Sequence, residues 1–94
     1  MTEDRRRFAR DPEVIWDEVD GVMTLCHLEM NEHFQCNEVG ALIWKAFDNR
    51  ATVEELVEHL AEIYPEEERG FLAEEVASFM ASLEQARLVR LLEE

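Results

Sequence analysis

Polar and apolar residues alternate along the first third of the chain and recur at helical spacing along the rest. EVIWDEV (13–19) reads as a half-buried strand with Val14 and Trp16 inward, because alternation sends every second side chain to one face. Asp20-Gly21 follows, a pair that favours the two-residue turn of a hairpin, and VMTLCHL (22–28) supplies the partner strand. A connection through EMNEH (29–33), in which Asn31 tolerates a left-handed backbone, leads to a third strand, HFQCN (33–37). These segments predict an antiparallel meander whose third strand is an edge.

From Asn37 onward the period changes. Asn37 suits a helix N-cap, and EVGALIWKAFD (38–48) puts Val39, Leu42, Ile43, Ala46 and Phe47 on one face, with Gly40 permitting a close approach. DNR (48–50) ends that helix. ATVEELVEHLAEIYP (51–65) opens on a capping box, Thr52 with Glu55, carries the stripe Val53, Leu56, Val57, Leu60 and Ile63, and stops at Pro65. After the charged linker EEERG, a third helix runs over about residues 71–86 with Leu72, Val76, Phe79 and Leu83 toward the core. RLVRLLEE closes the chain as a short extended or frayed segment. Strands followed by helices predict an α+β domain, a three-stranded antiparallel sheet packed on three helices, over residues 13–92. Residues 1–12 form a basic N-terminal tail.

Composition narrows the partners. Ninety-four residues suit one domain, and an apolar fraction of 47% supports a packed core. The longest apolar run, residues 39–44, is too short to span a bilayer, and the N-terminus lacks a signal-like apolar stretch, so a cytoplasmic protein with no membrane partner is expected. Acids outnumber bases by 23 to nine, for a net charge of −14, although four arginines lie within the first ten residues. Such a body repels phosphate, which argues against nucleic acid and for a basic or apolar peptide, unless the acidity serves solubility alone.

The third strand is the expected site. With a loop over residues 30–32, Leu28 faces Phe34, His27 faces Gln35 and Cys26 faces Cys36, which leaves the main-chain groups of Phe34 and Cys36 pointing off the open edge. An extended peptide can add a strand there, since residues 33–37 contain no Lys or Pro to blunt the edge. A second facet of the third helix, Ala73, Ala77, Met80 and Glu84, supplies a wall, or else joins the core. The expected peptide-binding residues are therefore His33, Phe34, Gln35, Cys36, Ala73, Ala77, Met80 and Glu84. On this register Cys26 and Cys36 are directly opposed, free to cross-link on oxidation or to remain two inert thiols.

Other chemistry finds less support. Cys26, His27, His33, Cys36 and His59 match no zinc spacing and do not converge. Ser78 and Ser82 have no histidine at usable spacing, and there is no Gly-rich phosphate loop. No catalytic residue and no cofactor is assigned, and Trp16 and Trp44 are expected in the core.

The stretch CNEVGALIWKAFDNRATVEELVEHLAEIY, with DPEVIWDEVDGVMTL upstream, resembles the PqqD family, also called RiPP recognition elements. The resemblance implies a winged-helix-like fold without catalytic activity. It also implies capture of the leader of a ribosomally made precursor peptide as an added strand against the third strand, walled by the third helix. The leader is then presented to a modifying enzyme, often a radical SAM protein. Three positions depart from the family pattern: Cys36 replaces Leu, Asn49 replaces Gly, and Arg87 replaces the Gly before Leu-Val, which predicts a different end for the third helix. A winged-helix transcriptional regulator, or an accessory subunit that binds only its enzyme, is the alternative.

Overall fold

In the computed structural model, which describes residues 7–47 and 50–92, the chain runs β1 (Arg7–Arg10), β2 (Val14–Val19), β3 (Val22–His27), β4 (Glu32–Cys36), α1 (Glu38–Ala46), β5 (Arg50–Thr52), α2 (Val53–Ile63), α3 (Arg69–Gln85) and β6 (Val89–Leu92). The expected α+β architecture is present, with one addition. Two three-stranded sheets form instead of one: the meander β2-β3-β4, and a small sheet ordered β5-β1-β6.

Two turns set the meander. Asp20 and Gly21 both have positive φ, 53° and 79°, the combination of a type I′ turn whose twist suits antiparallel strands. Val19 therefore pairs with Val22, and Trp16 with Leu25. The second turn spans residues 28–31. Asn31 takes the left-handed φ of 55° and donates its N–H to the His27 carbonyl at 2.8 Å. The buried His27 ring closes this turn from beneath, its Nδ1 accepting the N–H groups of Glu29 (3.2 Å) and Met30 (3.1 Å). An Nδ1 that accepts twice is unprotonated, so the ring proton sits on Nε2, facing Asp11 Oδ1 at 3.4 Å.

This turn overturns the expected register. Leu25 pairs with Phe34, Cys26 with His33 and Met23 with Cys36, a slip of three residues from the pairing read in the sequence. An odd slip turns one strand over relative to the other. Met23, Leu25, Phe34 and Cys36 share the inner face, whereas Cys26 sits on the outer face with His33. The two thiols lie on opposite sides of the sheet and both are free.

The segment expected as a basic tail includes β1, the central strand of the small sheet, with Phe8 buried between Ala51 of β5 and Leu91 of β6. Residues 1–6 lie outside the described part. Arg10 reaches from β1 across the end of α1: its guanidinium lies 4.4 Å from the Trp44 ring centre and donates to the Trp44 carbonyl.

The first two helices start where their caps predict, whereas α3 starts at Arg69, two residues before the expected Phe71, without a side-chain cap. Asn37 Oδ1 accepts the Gly40 N–H at 2.8 Å, and Thr52 and Glu55 form the reciprocal capping box at 3.1 and 2.9 Å, each cap contributing about 1 kcal/mol. The third helix keeps the ending that a glycine would give it. Arg87 itself takes φ 64°, the Leu88 N–H reaches the Leu83 carbonyl and the Arg87 N–H reaches the Glu84 carbonyl, so the Schellman motif forms without glycine. Leu83 and Leu88, both fully buried, make its apolar contact. Asn49 lies outside the described residues.

Trp44, Phe47, Met23, Leu25, Leu60, Val76 and Met80 form the middle of the core. Each such side chain stabilises the fold by about 1.5–3 kcal/mol relative to exposure. Trp16 does not join them. It points inward as expected, but β2 is the far edge of the meander and leaves the ring 42% exposed.

Candidate functional site

Among the described residues, β4 is hydrogen-bonded on one side only, to β3. The C-terminal segment does not cover its other side, because β6 pairs with β1. Which groups face outward follows from the type I′ turn. Val19 and Val22 close it through ladder bonds, so by alternation Thr24 and Cys26 also bond toward β2, as the Leu28 N–H does to the Glu13 carbonyl at 2.9 Å. Met23, Leu25 and His27 then bond toward β4 and take up the main-chain groups of Cys36, Phe34 and Glu32. The outward N–H and C=O groups belong to His33 and Gln35, not to Phe34 and Cys36 as the sequence-derived pairing has it.

The side chains divide accordingly. His33 and Gln35 are exposed on the outer face, Phe34 is partly buried at the inner margin, and Cys36 is buried. Burial pushes the Cys36 thiol up from its ordinary value of 9.0 to about 11, so it is a neutral packing group at physiological pH.

The third helix does wall this edge, through a different facet. Phe79 meets Phe34 edge to face with ring centres 6.1 Å apart, a contact worth about 0.5–1.5 kcal/mol beyond its buried area. Gly40 makes room for it: a Cβ at residue 40 would come within 2.8 Å of the Phe79 ring. Glu75, Ser78 and Ser82 continue this facet over the start of α1, around a hollow of about 190 Å³ that Asn37 and Val39 also line. Through Val39 and Glu75 it adjoins a more apolar hollow of about 140 Å³ walled by Tyr64, Phe71 and Leu72 and rimmed by Glu67. The two hollows form a groove between α1 and α3 that reaches β4 at the Phe34–Phe79 contact, mainly polar at the Asn37 end and apolar with an acidic rim at the Tyr64 end.

Ala73, Ala77, Met80 and Glu84 do not come to this edge. At 100° per residue, positions 73, 77 and 84 lie about half a turn round the helix from 75, 78, 79 and 82. Met80 is fully buried in the core, and Glu84 lines a hollow beside Arg87 and β6. The sequence held a signal for the correct facet: Phe71, Glu75 and Phe79 recur every four residues with two aromatics among them, outside the tightest core stripe.

Cys26 and His33 are on the outer sheet face, His27 and Cys36 are inside, and His59 is exposed on α2. Among the described residues no group of three metal-ligating side chains comes together, and no helix is long and apolar enough to cross a membrane.

A two-sheet, three-helix frame with an open strand beside a helix-walled groove defines the class. Residues 23–89 match the family described as coenzyme PQQ synthesis protein D (PqqD), and the chain belongs to that family. Two solved structures have a similar fold. TbiB1 in complex with the TbiA(beta) leader peptide is 20% identical, with a TM-score of 0.76, over 92% of this chain and 99% of that one. Lasso peptide synthetase B1 complexed with the leader peptide is 23% identical, with a TM-score of 0.73, over 88% of this chain and 96% of that one. No curated protein matches by sequence.

Proposed function

We propose that the chain is a non-catalytic peptide-binding module that takes the leader of a ribosomally made precursor peptide as a fourth strand on β4. It then presents that peptide to a modifying enzyme in the cytoplasm. The observation that carries this reading is the one-sided pairing of β4, whose outward groups at His33 and Gln35 stand beside a groove. A guest strand would lie about 4.8 Å from β4, over the mouth of that groove, with every second side chain directed into it. The floor of Val39 and Phe79 suits apolar anchors, and Glu67 and Glu75 on the rim favour basic residues between them. His33, Phe34 and Gln35 thus contact the peptide while the buried Cys36 does not, and Glu75, Ser78, Phe79 and Ser82 take the part expected of Ala73, Ala77, Met80 and Glu84. That both similar folds are described in complex with leader peptides supports the same reading.

The test is an NMR titration of the labelled chain with the leader of a precursor peptide encoded beside its gene. Amide shifts should concentrate in residues 33–36 and 75–82. Gln35→Pro, which removes an outward N–H, and Phe79→Ala should each weaken binding at least ~10-fold, about 1.4 kcal/mol. Unchanged affinity in both folded variants, or shifts confined to another face, would refute strand addition on β4.

A further inference from the structure

Charge separates sharply between the two sheets. The small sheet, RFAR, RAT and VRLL, carries Arg7, Arg10, Arg50 and Arg90 and no carboxylate. The meander, VIWDEV, VMTLCH and EHFQC, carries Asp17, Glu18 and Glu32 and no Lys or Arg. α2 adds Glu54, Glu55, Glu58 and Glu62 without a base. The three small strands thus carry four positive charges within a chain of net −14.

Register places these charges on one face. Phe8, Ala51 and Val89 turn inward and are buried, so Arg7, Arg50 and Arg90 share the opposite face. Ala9 pairs with Arg50 on one side and Arg90 on the other. Their Cα atoms are therefore two strand spacings apart, about 10 Å, with Arg7 one row away. At that separation the mutual repulsion of Arg50 and Arg90 is largely screened, and both guanidinium groups can attract one anionic segment laid across the face. Arg50 and Arg90 are exposed, and no carboxylate lies within salt-bridge distance of either among the described residues. Ala9 between them keeps the centre of the face low and open to an approaching chain.

We propose that the outer face of the small sheet, built on the exposed Arg50 and Arg90, docks an acidic segment of the peptide-modifying enzyme. The proposal rests on the presenting role given above. A module that delivers a peptide has to hold its cargo and its destination at once. No residue of β1, β5 or β6 lines the two hollows beside β4, so the two surfaces do not compete. The occupant follows from charge and size. Three strands of three or four residues match a short segment, whereas nucleic acid or an anionic membrane extends beyond the face and meets the repulsion of the acidic body. A second copy of this chain brings another charge of −14.

The test titrates the labelled full chain with a short acetylated peptide of alternating Glu and Gly, and separately with the leader. Acidic-peptide shifts at Arg7, Ala9, Arg50, Arg90 and Leu92, absent along residues 33–36 and weakening with added salt, support the proposal. Arg50→Glu/Arg90→Glu should lower acidic-peptide affinity at least ~10-fold and leave leader affinity unchanged. Arg50→Gln/Arg90→Gln gives a milder loss and stands in if charge reversal disturbs folding. Equal affinity in the folded variants overturns the proposal, as does tighter binding of duplex DNA or phosphatidylserine vesicles at this face, or self-association that the variants abolish. Leader binding that persists while the acidic peptide fails removes the docking face alone. Acidic-peptide binding without leader binding removes the presenting role and leaves the basic face standing.

Discussion

Arg87 holds a backbone conformation that suits glycine, and replacing it should stabilise the protein. At φ 64° the Cβ crowds the following carbonyl, a strain of about 1–2 kcal/mol for an L-residue. Arg87→Gly removes that strain, but the more flexible unfolded chain takes back about 0.5–1 kcal/mol. The net gain is about 0.5–1 kcal/mol, which for a domain of this size raises the Tm by about 2–8 °C. Loss of the side chain itself is separated by Arg87→Ala, which keeps the Cβ and so keeps the strain. The exposed guanidinium makes no ion pair among the described residues, so the alanine variant should match the parent closely. Urea denaturation followed by circular dichroism measures all three proteins, with the same m-value showing that the unfolded state is comparable. If Arg87→Gly proves no more stable than Arg87→Ala, the Schellman ending does not strain residue 87 and the reasoning fails.

His27→Ala should destabilise the fold by about 1–3 kcal/mol by stranding the Glu29 and Met30 N–H groups, and His27→Asn, which restores an acceptor near the Nδ1 position, should recover part of the loss in the same urea assay; equal losses would show that the ring only fills space. Iodoacetamide at pH 8 should label Cys26 and spare the buried Cys36 until urea is added, and diamide should form no disulfide within the chain, both read by mass spectrometry; a Cys26–Cys36 bridge would contradict the β3–β4 register. Because folding raises the Cys36 pKa, the unfolded chain loses that proton first, so its contribution to stability is complete below about pH 9 and declines as pH rises through about 11. Cys36→Ala should remove that part of the alkaline loss.

Much of the frame was legible because period and turn chemistry agreed. Asp20-Gly21 gave the first hairpin to the residue, and Asn37 and the Thr52–Glu55 box gave the helix starts. The second hairpin departs from its expected register because the first hairpin constrains which face each β3 side chain takes. With Val14 and Trp16 inward, a two-residue turn forces Met23, Leu25 and His27 inward too, and these share a face with Phe34 and Cys36 only at registers an even number of residues from the observed one, which excludes the expected pairing. A histidine on an apolar face hid this, since its role as an acceptor under the turn is a tertiary fact. The small sheet was invisible for another reason. RFAR, RAT and VRLL are three or four residues long, too short for alternation to register, and they are brought together only by the rest of the fold. The helix wall failed through geometry: Ala73, Ala77 and Glu84 flank the core stripe on the side away from β4, and only Gly40 and Phe34 reveal which flank Phe79 occupies.

The pairing of β1 with β6 brings the two described ends of the chain side by side, Arg7 opposite Leu92. Entry and exit are therefore about 5 Å apart at the backbone, the width of a single ladder rung. A domain with adjacent ends can be spliced into a surface loop of a larger polypeptide without prying that loop open, at an entropic cost little above that of closing a short loop. The same geometry lets a few linking residues join the ends directly and new ends be cut at the Asp20-Gly21 turn, a rearranged chain order that leaves β4 and its groove intact.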